Sequence, residues 1–347
     1  MLQRYPQDVV LERQGIAYHF VSDKYGATLR GWQIPWPLHR LAARMSRDSL
    51  QANNPTCVHL NGLLFPIQTR LLRANLPEGA ALVAQHHAET PWPRPQQLLQ
   101  RWCLRSVDGF LFTNRALAQE WLEAGIIRAA QDVYEVMETS SPLPYHDKTT
   151  ARQITGMAGK PILFWTGNLN HNKDPLTILA GFELILERAP EAHLYMAFRQ
   201  ADLLPQVQAR IAQSPALARS VTLLGRIPYG EIAPYYNSAD LFVQGSSREG
   251  SGIALLDALA CGVIPVVTDI PSFQTITGNG QVGLLWAVGR PEAFAAAILE
   301  VISQPLEPLA QEARHFFELN WTFPAISRRA MAIYLEILQK QGYPVNP

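Results

Sequence analysis

The run Ser246-Ser-Arg-Glu-Gly-Ser-Gly-Ile-Ala-Leu-Leu-Asp-Ala-Leu-Ala-Cys-Gly262 places two carboxylates, Glu249 and Asp257, around a Gly-rich turn. Gly250 and Gly252 let the backbone come close to a ligand and adopt φ > 0 where required. A helix opening near Gly252 aims free N–H groups and the positive end of its dipole into that turn, which suits an anion. Asp257 stands alone among Ile253, Ala254, Leu255, Leu256, Ala258, Leu259 and Ala260. A carboxylate on so apolar a helix needs a partner or a wet cavity, because unpaired burial is costly. A purely structural helix with Asp257 at its one solvated position fits the pattern equally well.

Two further clusters carry usable chemistry. Gly167-Asn168-Leu-Asn-His171-Asn-Lys173 follows an apolar run, and Lys173 is one of five Lys against 24 Arg. An ammonium there can neutralise developing negative charge, or simply be solvated ahead of a helix. Val83-Ala-Gln-His86-His87 ends another apolar run. A His at a cleft can donate to a hydroxyl or stabilise developing charge. Strand alternation sends His86 and His87 in opposite directions, with His87 preferred for the cleft. His59 and Asn61, in Val58–Gly62, are better read as packing. Structural use is at least as good a reading of Glu138-Thr-Ser-Ser141. His171 fits a polar loop, and Trp165 and Trp286 fit a core.

These groups need a scaffold, and the sequence supplies one. Short apolar runs at Pro161–Thr166, His193–Phe198, Val221–Leu224, Asp240–Gln244, Ile264–Thr268 and Gly283–Ala287 read as strands. Helical patterns lie between them at Asp174–Arg188, Leu203–Gln213, Tyr229–Asn237, Gly252–Cys261 and Pro291–Ser303. Asp174 is a good N-cap, with Pro175 at the first helical position. Alternation of this kind implies parallel sheets, since parallel neighbours need crossovers. The first half repeats it with strands at Gly15–Val21, Thr56–Leu60, Ala81–Gln85, Gly109–Thr113 and Val133–Met137. Its helices fall at Trp36–Gln51, Pro66–Arg73, Gln96–Ser106 and Arg115–Glu123. Pro and Gly between Ser140 and Lys160 mark a linker. The expected organisation is therefore a first domain over 1–150 and a second over 151–322. An amphipathic terminal helix, 323–340, either packs back on the first domain or stays on its own. Ligands of such sheets bind beyond the carboxyl ends of the strands, so the cleft between two domains is the expected site.

Composition narrows the class. The chain has 347 residues, 48% of them hydrophobic, which excludes disorder and suits two cores. Lys+Arg and Asp+Glu are 29 each, so no global field points to nucleic acid or an anionic membrane. Cys57, Cys103 and Cys261 are odd in number and widely spaced, as expected of reduced thiols rather than a disulfide frame. The first residues lack an apolar h-region, and the longest apolar candidate, Ile253–Val267, is broken by Asp257, Gly262 and Pro265. A cytoplasmic protein with at most peripheral membrane contact is expected.

The stretch Glu249-Gly-Ser-Gly-Ile-Ala-Leu-Leu-Asp257 with Pro265-Val-Val267 resembles the nucleotide-sugar loop of retaining glycosyltransferases of family 4, the glycosyl transferases group 1. Three more segments match in order: Gly167–Pro175, Val221–Ile227 and Ala239–Ser246. The likeness runs from Gly156 to about Ile302. It implies an α/β fold of GT-B type, two Rossmann-like domains with parallel sheets facing across a cleft, the first domain apparently shortened. By resemblance, Glu249 hydrogen-bonds the donor sugar, and the amides of Gly250, Ser251, Gly252 and Ile253 hold sugar and diphosphate. Asp257 accepts from the ribose diol, Lys173 neutralises the leaving diphosphate, and Arg226 with Ile227 lies against the base beside Gly225. His87 resembles the family's strand-end His facing the donor sugar, and Gly167 and Asn168 belong to the phosphate segment.

Three departures stand out. The second Glu of the family pattern is Asp257. The Arg of its phosphate pair is Asn168, which can donate hydrogen bonds but cannot neutralise charge. The family's first strand and Gly-rich loop have no counterpart: Asp8–Gln14 resembles the end of the following helix and Ile16–Val21 the second strand. The implied activity is transfer from a nucleoside-diphosphate sugar with retained configuration, to a glycan, lipid or small-molecule acceptor. No two Asp lie two apart, so no Asp-x-Asp metal motif exists and neither metal nor cofactor is expected. The rivals are a sugar-nucleotide epimerase on the same fold and a catalytically impaired nucleotide-sugar-binding protein.

Overall fold

A computed structural model describes residues 9–13, 15–20, 57–76 and 79–342; the expected helix at Trp36–Gln51 lies outside them. The chain divides into two units, Met1–Val136 with Arg329–Pro347, and Met137–Arg328.

In the first unit, β1 (Val9–Arg13) and β2 (Ile16–Phe20) form an antiparallel hairpin. The expected helix end at Asp8–Gln14 is therefore corrected, over its described residues Val9–Arg13, to a strand. Val9 and Val10 favour extended backbone, and Gly15 turns the chain at φ 75°. Ile16–Phe20 is a strand as expected, but its partner is β1 rather than a parallel neighbour. The strands β3 (Cys57–Asn61), β4 (Ala81–Gln85), β5 (Gly109–Phe112) and β6 (Val133–Glu135) form a parallel sheet in chain order. The helices α1 (Pro66–Arg73), α2 (Gln97–Leu104) and α3 (Gln119–Glu123) accompany it. Every residue of β4 is buried, as befits a strand covered on both faces. Leu63, Leu82, Phe112 and Trp121 anchor its core.

The second unit begins before the expected 150/151 boundary, and Ser140–Lys160 is not a free linker. Within it α4 (Lys148–Thr155) is capped by the Asp147 side chain, which accepts from the Thr150 amide. Asp240 pins this helix to the sheet. Its carboxylate accepts from Lys148 Nζ and Arg152 at 2.9 Å each and from the Ile162 amide at 2.8 Å. The Asp240 side chain is 13% exposed and its cationic partners 33%. Asp240→Ala orphans a strand amide and two cations. Discounted for the exposed partners, it should cost about 2 kcal/mol. A thermal melt should then fall by roughly 4–8 °C.

Six strands follow, β7 (Ile162–Gly167), β8 (His193–Phe198), β9 (Val221–Gly225), β10 (Leu241–Gln244), β11 (Ile264–Thr268) and β12 (Leu284–Trp286). All are parallel, in the order β9-β8-β7-β10-β11-β12. This is a doubly wound sheet, and its order reverses between β7 and β10, the switch point where such sheets bind ligands. The Gln244 side-chain amide donates to the Thr166 carbonyl at 2.9 Å across that point.

The helices are α5 (Pro175–Leu186), α6 (Leu204–Ala212), α7 (Pro215–Ser220), α8 (Ala233–Ser238), α9 (Ile253–Ala260), α10 (Pro271–Thr277), α11 (Pro291–Ile302) and α12 (Leu306–Asn320). The expected helix at Tyr229–Asn237 is split. Tyr229–Glu231 makes one 3-10 turn before α8. Two apolar clusters cover the sheet, one around Phe164, Tyr236 and Leu256, the other around Trp165, Phe182 and Phe294. Trp165 and Trp286 are core residues.

The last helix, α13 (Phe323–Lys340), passes into the first unit at Arg329. There Tyr334 hydroxyl meets His59 Nδ1 at 2.6 Å and Lys340 Nζ meets Tyr134 hydroxyl at 2.6 Å. Ile337 lies so close to Gly109 that a Cβ there would come within 2.5 Å of it. Among the described residues no single helix is long and apolar enough to cross a membrane.

Candidate active site in the second unit

Lys173 and Glu249, 76 residues apart, meet in an ion pair at the switch point. Their side chains are 17% and 14% exposed, so a ligand can reach them. Each loop is built to hold its charge there. After β7, the Asn170 side chain accepts from the Lys173 amide at 3.0 Å. Asp174 takes the left-handed conformation, φ 42°, and caps α5 by accepting from the Thr177 amide; Asp tolerates that conformation better than most residues. The Lys173 stem then runs past Gly167, where a Cβ would lie 3.4 Å from Lys173 Cδ.

After β10, Gly245 lets the loops touch, since a Cβ there would stand 3.2 Å from the Asp174 carbonyl. Asn172 stitches them together. Its Oδ1 accepts from Ser247 Oγ at 2.9 Å and the Arg248 amide at 3.1 Å, while its Nδ2 donates to the Arg248 carbonyl at 3.0 Å. The Ser272 hydroxyl donates to the Glu249 carbonyl. Gly250 and Ser251 are half-buried beyond it, and Gly252 turns the chain into α9 at φ 56°. A Cβ on Gly252 would come within 2.5 Å of Ile276 Cδ1, so no other residue fits without rearrangement. Ile253, the first helical residue, is exposed at the mouth of the turn.

Asp257 lies one turn further along α9, 3% exposed. Ser141 Oγ donates to its Oδ1 at 2.5 Å and Tyr229 hydroxyl at 3.1 Å. Both reach the same oxygen, so Oδ2 remains for another donor. Burial raises its pKa to about 6, against the pull of those two hydroxyls. The same burial, with the Asp257 charge second, pushes the Cys261 thiol up to about 12.

Tyr229 also lines a hollow of about 290 Å³ beyond β7, β8 and β9, with Gly167, Phe198, Arg199, Arg226 and Ile227. Arg226 and Gly167 thus share one cavity wall. Asn168 is beside it, but its side-chain oxygen accepts from the Gln200 amide at 3.3 Å, fixing the neighbouring loop. His171 is exposed. Asn172, Ser272, Tyr229 and Arg199 were not singled out by sequence reasoning. The Asn-rich run 168–172 was the available signal for the first, because Asn side chains bridge turns.

In the first unit, the His86 ring is buried, stacked on Phe112 at 4.6 Å, with Nε2 2.9 Å from the Glu89 carbonyl. His87 is exposed at the carboxyl end of β4, and its amide donates to Glu89 Oε2 at 2.6 Å. Glu89 Oε1 accepts from the Leu63 amide at 3.0 Å, joining the loops after β3 and β4. Desolvation, with the His87 charge second, holds the His59 imidazole below its ordinary pKa. Among the described residues no three His, Cys, Asp or Glu side chains converge as metal ligands.

The chain resembles known proteins in sequence and in fold. Residues 147–316 match the family described as glycosyl transferases group 1. D-inositol 3-phosphate glycosyltransferase of Thermobispora bispora is 26% identical over 204 residues, 56% of this chain and 47% of that protein. The chain thus spans about half the length of the curated relatives it matches. A glycosyltransferase from Rickettsia africae superposes with a TM-score of 0.69 at 16% identity, over 88% of this chain and 83% of its own. Anabaena HepE, solved in complex with UDP, gives 0.66 at 16% identity, over 85% and 81%. At such identity the likeness is one of fold, the GT-B fold. Through residues 147–316, just under half of its length, this chain is similar to the glycosyl transferases group 1 family.

Proposed function

We propose that the chain is a retaining glycosyltransferase that takes its sugar from a nucleoside-diphosphate donor without a metal ion. One observation carries the reading: an ammonium and a carboxylate from separate loops meet at the switch point, on the loops after β7 and β10, the second of which leads into α9. Support also comes from HepE, which has been solved with UDP and with UDP-glucose.

On this reading the diphosphate lies on the amides of Gly250, Ser251, Gly252 and Ile253, where the dipole of α9 favours negative charge. Lys173 leaves Glu249 for the leaving phosphate as charge develops there. Glu249 is then available to the donor sugar's hydroxyls, the ribose diol donates to Asp257 Oδ2, and the base enters the hollow beside Arg226 and Tyr229. A phosphate oxygen takes the acceptor's proton on the face from which the diphosphate departs. The acceptor is a glycan, a lipid or a small molecule.

Donor turnover tests this. The full chain is incubated with UDP-, GDP- and ADP-sugars, with and without an acceptor panel, and nucleoside diphosphate and sugar are followed. Release of nucleoside diphosphate with a retained anomeric configuration is expected. An epimerised donor without release would assign the epimerase instead. Binding without release under every acceptor would leave a non-catalytic sugar-nucleotide protein, for which the uncharged Asn168 already provides a motive.

The Asp257 carboxyl adds a pH dependence. Ribose hydroxyls favour its ionised form, so below about pH 6 binding must first expel a proton. Nucleoside-diphosphate affinity should weaken about tenfold between pH 7 and pH 5 beyond the change seen in Asp257→Asn. Parallel pH profiles for the two proteins, read by calorimetry, would remove Asp257 from the ribose.

A further inference from the structure

We infer that Arg199 supplies the second positive charge of the donor site, binding the diphosphate alongside Lys173. This rests on the donor reading above and adds a binding residue to it.

Strand register places Arg199. Gly167, the last residue of β7, pairs with Phe198, the last residue of β8. Asn168 and Arg199 are thus the next residues on two adjacent strands, both at the carboxyl edge. The Gln200 amide bonded to Asn168 Oδ1 at 3.3 Å ties the two loops at that level. Arg199 and Gly167 line the same hollow, and the Lys173 stem passes close to Gly167.

Charge then decides the role. The hollow has two guanidinium residues, Arg199 and Arg226, and no carboxylate among its lining residues. Arg199 is exposed, and among the described residues neither guanidinium has an ion-pair partner. Lys173 is matched by Glu249, so that pair alone brings no net charge to a diphosphate. Asn168 brings none either. A guanidinium presents a fork of donors that suits phosphate oxygens and stays charged at any working pH. Arg199 is adjacent to the phosphate end of the hollow through Gly167, whereas Arg226 follows β9, two strands from β7.

The test is calorimetric binding of UDP, GDP and ADP, with uridine, guanosine and adenosine as phosphate-free probes, to the full chain. Variants are Arg199→Ala, Arg199→Lys and the double variant Arg199→Ala with Asn168→Arg. Arg199→Ala should lose roughly 10–100-fold in nucleoside-diphosphate affinity, leaving nucleoside affinity unchanged. Arg199→Lys should fall between, and Asn168→Arg should restore most of the loss from the adjacent strand. Equal losses for nucleoside and diphosphate would make Arg199 a base contact and overturn the inference. So would wild-type affinity in Arg199→Ala. A wild-type chain that binds none of UDP, GDP and ADP overturns the donor reading itself, and this inference with it.

Discussion

Lys173→Ala is expected to lower sugar transfer by roughly 10²–10³-fold, the cost of removing one group that meets charge developing in a transition state. The ammonium is held in place by backbone geometry: Asn170 fixes its amide, Asp174 turns the chain after it, and Gly167 gives its stem room. The loss should appear in kcat, because negative charge on the leaving phosphate grows as the glycosidic bond breaks. The fold should survive. Lys173 lies at a loop mouth, partly exposed, and leaving Glu249 unpaired there costs about 1 kcal/mol. Initial rates at saturating donor, with a thermal melt of the same preparation, measure both. Full activity in a folded Lys173→Ala protein would remove the site assignment.

Glu249→Ala should be as damaging to transfer, about 10²-fold or more, with a different signature in binding. The donor sugar loses a hydrogen-bond acceptor, so transfer falls. The Lys173 ammonium loses its resting partner, so a nucleoside diphosphate without sugar should bind as well as to the wild type, or more tightly. Glu249→Gln keeps an acceptor oxygen and should recover part of the transfer. A Glu249→Ala protein that loses diphosphate and sugar nucleotide equally would mean that Glu249 only props up the loop.

Much of the second unit was legible from sequence because its strands are buried on both faces. Near-continuous apolar runs such as Ile162–Trp165 and Ile264–Val267 have few other readings. The terminal helix was legible from its periodicity. Besides α4, which lies where a linker was expected, three helices were not foreseen, α7, α10 and α12. The first two are short and begin at Pro215 and Pro271, which read as breaks as readily as first helical residues. The third fully buries only Ala310, Ala313 and Phe317; Arg314 on it donates to the Ala260 carbonyl at the end of α9. That contact is tertiary and leaves no local pattern. The hairpin at β1 and β2 was misread because its strands are short and the resemblance drew Asp8–Gln14 towards a helix.

The proposed site shows the same division. Lys173, Glu249, Gly252 and Asp257 were visible as residue types at informative spacings. That Lys173 meets Glu249, or that Asp257 already holds Ser141 and Tyr229 on one oxygen, depends on residues up to 116 positions apart. Arg199 was invisible for another reason. Among 24 Arg, nothing marks one at the end of an apolar strand until the register of β7 and β8 is known.

The central claim is that the loops after β7 and β10 hold a diphosphate on the amides opening α9. Amide hydrogen exchange across Gly250–Ile253, with and without UDP, GDP or ADP, tests it most directly. Protection of those amides by at least one of the three nucleotides, weakened in Lys173→Ala, is the expected result. Saturating UDP, GDP and ADP that all leave the exchange of these amides unchanged would contradict it.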